Sequence, residues 1–97
     1  MKRQEVIARL TSHRAELDHL GIVSLALFGS VVRDEASESS DVDLLFACRR
    51  PFGLFSLVRA TRRISELLDG ARIDLVPDAS VLPELRDAIS REAIRVF

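Results

Sequence analysis

Apolar residues near the start of the chain recur in three- and four-residue steps at Val6, Leu10, Leu17 and Leu20, with Ile7 beside them. One buried helical face requires that spacing, so a helix is predicted from Lys2 to Leu20, with Gly21 suited to the left-handed position that ends it. His13 falls in the middle of the apolar stripe, where a packed, hydrogen-bonded core histidine is the ordinary reading and a partner-facing or functional histidine the alternative. The run IVSLALF, Ile22 to Phe28, is too short and too apolar for a surface helix and is bounded by glycines, which predicts a buried strand. A polar loop from Glu35 to Ser40 separates it from DVDLLFA, Asp41 to Ala47. There Val42, Leu44 and Phe46 alternate against Asp41 and Asp43, the period of a second strand.

Pro51 and Gly53 punctuate the exit from that strand, and the segment up to Asp69 sets Leu54, Leu57, Val58, Ile64 and Leu68 on one helical face. Arg59, Arg62, Arg63 and Glu66 fall opposite, as a solvated side does, and the three arginines could alternatively form a phosphate or partner patch. Gly70 can cap this helix, and RIDLVP supplies a third strand, Arg72 to Val76, ended by Pro77. A last helix is predicted from an N-cap at Ser80, with Pro83 in its first turn, burying Leu82, Leu85, Ile89, Ala93 and Val96. The order αβ(α)βαβα implies an α/β (α+β) fold built on a single small sheet.

The length of 97 residues suits one domain, residues 1–97, with no room for a second lobe to select substrate. Fourteen Lys and Arg against 15 Asp and Glu leave a net charge of −1, so total charge does not announce nucleic acid as a partner. Five phenylalanines with no Trp or Tyr also make a poor base-stacking platform, and no direct nucleic-acid binding is expected. Cys48 is the only cysteine, which excludes an internal disulfide and reads as a small packed residue in a reducing compartment. Charges recur through MKRQEVIARL, and no stretch reaches the length of a membrane span, so a cytoplasmic protein with no membrane partner is expected.

The stretch from Phe28 to Phe46 carries the chemistry. Gly29 and Ser30 follow a strand end, where backbone N–H groups and a serine hydroxyl can cradle a triphosphate, although Ser30 also suits a plain helix cap. Arg33, one turn along, can pair with a phosphate or equally with the acidic loop. Asp41 and Asp43 share one strand face, roughly 6.6 Å apart, and their repulsion against an apolar background calls for a cation. Mg²⁺ fits, because it takes carboxylate oxygens together with substrate phosphates. Asp74, alone in an apolar strand, completes a set of three carboxylates if the two strands are neighbours. Such a set can hold the two ions of phosphoryl transfer, with Asp74 also available as base. The bland alternatives are a solvated strand edge for Asp41 and Asp43 and an exposed strand residue for Asp74.

Gly29, Ser30, Ser40, Asp41, Asp43, Leu44 and Leu45, read as GS followed by SDxDLL, resemble the signature of the DNA polymerase beta nucleotidyltransferase superfamily. Asp74 matches its third carboxylate. In length and spacing the chain is similar to the minimal nucleotidyltransferase, or MNT, antitoxins. That resemblance implies the polymerase beta-like nucleotidyltransferase fold, a small mixed sheet with helices packed on it, together with metal ligation and catalysis by Asp41, Asp43 and Asp74 and nucleotide binding by Gly29, Ser30, Arg33 and Ser40. It further implies Mg²⁺ with ATP as the usual donor. The expected partner is a HEPN-domain toxin RNase, which some members inactivate by adenylylating a tyrosine. Two other readings stay open: an antitoxin that merely occludes its toxin, and an adenylyltransferase acting on a small molecule. Self-association stays open as well.

Overall fold

The computed structural model describes residues 2–32, 41–49 and 52–97, with the side chain of Ser30 outside that description. Its four strands are β1 (Ile22–Phe28), β2 (Val42–Cys48), β3 (Ile73–Pro77) and β4 (Ile94–Arg95), arranged in the order β3-β2-β1-β4. β1 runs antiparallel to both β2 and β4, whereas β2 and β3 are parallel, so the sheet is mixed, as the family resemblance implied. The second and third strands each begin one residue later than expected. Pro77 is tolerated as the last residue of β3 because β3 is an edge strand.

Each strand divides its residues between two faces. Leu25, Leu27, Val42, Leu44, Phe46 and Leu75 share one face and are buried against Val6, Leu10, Leu17, Ala60, Ile64 and Leu68 of the helices. The other face carries Ser24, Ala26 and Phe28 of β1, Asp43 and Leu45 of β2, Asp74 and Val76 of β3, and Arg95 of β4, as the strand register dictates. The predicted alternation of Val42, Leu44 and Phe46 against the aspartates is therefore what separates the core from the open face.

The first helical segment is two helices, α1 (Arg3–Ser12) and α2 (Arg14–His19), in place of the single helix expected. The chain leaves helical geometry at His13, with φ −109° and ψ 21°. Side chains there bond locally to the backbone: Ser12 Oγ donates to the Ala8 carbonyl at 2.8 Å, and His13 Nδ1 lies 2.9 Å from the Arg9 carbonyl. Such local bonds compete with a straight helix. His13 is accordingly a half-buried junction residue and not part of the core stripe. Gly21 takes φ 102°, the left-handed end expected of it.

α3 (Leu54–Leu67) is buried through Ala60 and Ile64, with Leu68 just past its end and Leu57 partly covered. Leu54 and Val58, expected on the buried face, are 72% and 48% exposed, so the helix is buried through its middle and not through its first turns. Arg63 is not simply solvated: its guanidinium donates to the Glu16 carboxylate, tying α3 to α2. That hydrogen bond holds the Glu16 carboxyl below the ordinary carboxylate range. Beyond Leu68 it is Asp69, at φ 59°, that first turns left-handed, and Gly70 follows at φ 80°.

The last helix departs most from expectation. α4 (Pro83–Glu92) has Leu82 as N-cap residue and Pro83 at its first position. Ser80 belongs instead to a preceding 3₁₀ turn, Asp78–Ser80, where its hydroxyl donates to the Pro77 carbonyl at 2.9 Å. No residue within α4 is buried, and Leu82 and Leu85 are 60% and 51% exposed. Ala93 and Val96 do not continue the helix, because main-chain pairing to β1 captures this segment. Val96 N–H donates to the Leu25 carbonyl at 2.8 Å, and Leu25 N–H donates to Phe97 at 3.1 Å. Phe97 then supplies the buried contact that the helix does not.

Candidate active site

β1 delivers its chain end beside the start of β2, and the register sets Phe28 opposite Asp43. The next residue, Gly29, has φ 81° and opens a 3₁₀ turn, Gly29–Val31. A Cβ added there would lie 2.2 Å from Asp43 Oδ2. Glycine is thus required twice over, by a backbone angle that L side chains avoid and by a carboxylate packed directly against the turn. The GS turn and the DxD strand are one structural unit.

The parallel register of β2 and β3 sets Asp74 directly beside Asp43 on the open face. Asp43 is half-buried and Asp74 exposed. Burial pushes the Asp43 carboxyl above its ordinary pKa, and the charges of Asp74 and Asp41 push it further. Asp41 stands just ahead of β2, exposed, with Arg72 Nε 3.6 Å from its Oδ1. Among the described residues no three His, Cys, Asp or Glu side chains form a ready-made metal cage. Asp43 and Asp74 are brought together, whereas Asp41 faces Arg72. Two neighbouring carboxylates, one half-buried and one exposed, suit Mg²⁺, which is commonly held by one or two carboxylates plus substrate phosphates and water.

Of the predicted nucleotide-binding residues, Gly29 is placed at the carboxylates and the Ser30 backbone continues the same turn. The Ser30 side chain, Arg33 and Ser40 lie outside the described residues. Cys48 is partly buried against the core, the small packed residue expected. Sequence reasoning passed over Arg72 and Arg95. Arg72 follows from the parallel pairing: with Val42 beside Ile73, the preceding positions Asp41 and Arg72 must also be neighbours. Arg95 had no signal, because it was read as part of the tail of a helix.

The sequence matches the nucleotidyltransferase domain family over residues 10–96. It is 34% identical over 94 residues to the protein adenylyltransferase MntA of Thermococcus cleftensis, covering 96% of this chain and 94% of that protein. A solved structure described as a minimal nucleotidyltransferase shares 36% identity and superposes with a TM-score of 0.81, over 97% of this chain and 95% of that one. The fold also recurs, at 15% identity and a TM-score of 0.66, in the complex of a tri-AMPylated Shewanella oneidensis HEPN toxin with its MNT antitoxin, over 94% of this chain and 71% of that one. The shared turn, the neighbouring carboxylates and these likenesses lead to one conclusion: the chain belongs to the nucleotidyltransferase domain family and is an enzyme of its minimal, MNT type.

Proposed function

We propose that this protein is a Mg²⁺-dependent adenylyltransferase that moves AMP from ATP onto a HEPN-domain toxin and so neutralises it. The observation that carries the reading is the placement of Asp43 between Gly29 of the turn and Asp74 of β3. In the proposed reaction a hydroxyl oxygen of the acceptor attacks the α-phosphorus, the bond from that phosphorus to the bridging oxygen breaks, and pyrophosphate leaves. The hydroxyl proton passes to Asp74, the exposed member of the pair. Gly29 and Ser30 offer backbone donors to the phosphates, and Arg33 and Ser40 complete the nucleotide contacts. Asp41, Asp43 and Asp74 would hold two metal ions, which supply charge neutralisation at the phosphates and a more acidic attacking hydroxyl.

Support for the acceptor comes from the relatives: a protein adenylyltransferase at 34% identity, and an MNT antitoxin of the same fold bound to an AMPylated HEPN toxin. The whole chain acts as a single domain, residues 1–97, in the cytoplasm. Among the described residues no helix is long and apolar enough to cross a membrane. A second reading keeps the partner and drops the chemistry. Leu54, Phe55 and Val58, at 72%, 86% and 48% exposure, form an apolar patch at the start of α3 suited to a protein that simply covers its partner.

Incubating the cognate toxin with this protein, ATP and Mg²⁺, and then repurifying it, separates the two readings. Catalysis leaves the toxin heavier by one or more adenylyl groups and inactive after separation. A toxin that gains no mass and recovers full RNase activity would establish occlusion.

A further inference from the structure

Beyond the carboxylates, the open face of the sheet leads into a cavity of about 340 Å³ between the end of α4 and the strands. Its volume falls in the range of small-ligand sites, about 300–1,000 Å³. Ala26 and Leu45 line it from the sheet, Ser90 and Ala93 from the end of α4 and the residue after it, and Arg95 and Asp78 bring opposite charges to it. The strand register fixes where this cavity lies relative to the chemistry. Leu45 and Ala26 sit two residues beyond Asp43 and Phe28 on the same face, one pleat repeat of roughly 6.6 Å. Arg95 pairs with Ala26 and completes the same row. The span from the carboxylates to the cavity is one that a ribose bridges.

Arg95 and Asp78 are both exposed, and neither side chain has a hydrogen-bond or ion-pair partner among the described residues. The cavity thus presents a small apolar floor, a free donor fork and a free acceptor. From this we infer that it receives the nucleobase of the triphosphate donor, a purine bearing an exocyclic amine. Arg95 donates to a ring acceptor, Asp78 accepts from the amine, and Ala26 and Leu45 lie against the ring face. An acceptor phenol is the poorer occupant. Its hydroxyl would have to point out toward Asp43 and Asp74, leaving Arg95 and Asp78 without partners. Base selection then comes from the α4 side of the cavity, where Ser90 and Ala93 stand. The inference rests on the nucleotidyl-transfer reading above, and its test keeps the two apart.

Calorimetric titration with Mg²⁺ and ATP, CTP or inorganic tripolyphosphate is run on the wild type, Arg95→Gln and Ser90→Phe, which fills the cavity from an exposed helix position. The wild type should bind ATP more tightly than CTP or tripolyphosphate. Both variants should lose about ten-fold in ATP affinity, the scale of a charge-assisted hydrogen bond, with tripolyphosphate affinity unchanged. If Ser90→Phe does not fold, Arg95→Gln alone carries the test. Equal binding of all three ligands by the wild type, or unchanged ATP affinity in Arg95→Gln, overturns the base pocket while leaving the transfer site standing. Variants that bind ATP normally but fail to modify the acceptor assign the cavity to the acceptor instead and equally overturn it. If neither ATP nor tripolyphosphate binds the wild type, the nucleotidyl-transfer reading fails and takes this one with it.

Discussion

Replacing Asp43 with asparagine should stabilise the metal-free protein while abolishing transfer. Asp43 and Asp74 are direct neighbours on adjacent parallel strands, so their charges stand at about the strand spacing of 4.8 Å. Two unit charges about 5 Å apart repel by about 0.8 kcal/mol at the dielectric of water and about 3 kcal/mol at an effective value near 20. Asp74 is exposed and salt screens the pair, so the lower end applies and a gain of about 1 kcal/mol is expected. For a domain of this size that corresponds to a rise in Tm of about 4–8 °C. The sign follows from the raised Asp43 carboxyl, whose causes are burial first and then Asp74 and Asp41. Below the unfolded carboxylate pKa both states are protonated and the penalty is absent. It develops as pH rises through the folded pKa and is complete at neutral pH. Thermal melts in EDTA at pH 7 and near pH 3.5 should therefore show the asparagine variant ahead at pH 7 and the difference shrinking in acid. Adding Mg²⁺ with ATP should reverse the order, because only the wild type retains the full ligand set. An Asp43→Asn protein that melts at or below the wild type in EDTA at pH 7 would refute the argument.

Asp74→Asn should keep the fold but lose transfer, since it removes the proposed proton acceptor and a metal-holding charge with little change of shape; single-turnover kinetics beside a thermal melt checks this, and wild-type rates would remove Asp74 from its role. Gly29→Ala should lower stability by more than about 1–2 kcal/mol, because its left-handed φ is joined by a Cβ contact of 2.2 Å with Asp43 Oδ2. Urea denaturation measures it, and a midpoint equal to the wild type would contradict the close approach. Ile64→Ala, at a fully buried site between α3 and the sheet, should cost about 2–5 kcal/mol in the same assay without altering transfer by the remaining folded protein.

The strands and the faces of their side chains were legible in the sequence because a period of two is unambiguous when one face is apolar. Val42, Leu44 and Phe46 against Asp41 and Asp43 determined both the core face and the face that carries the aspartates. Ile22–Phe28 was delimited by its own glycines, and order and spacing alone linked Asp74 to the DxD pair. Amphipathic periodicity was a weaker guide, since it says which side of a helix is apolar and not whether anything packs there. Leu54, Val58, Leu82 and Leu85 have the right spacing yet remain exposed, because α3 is buried only through its middle and no residue of α4 is buried. The contact of Gly29 with Asp43, the pairing of Asp41 with Arg72, and the arrival of Arg95 beside Ala26 all join residues distant along the chain. Strand register alone decides them. A sequence specifies the pattern along each element, whereas which elements become neighbours, and in what register, is set by main-chain hydrogen bonding across the assembled sheet.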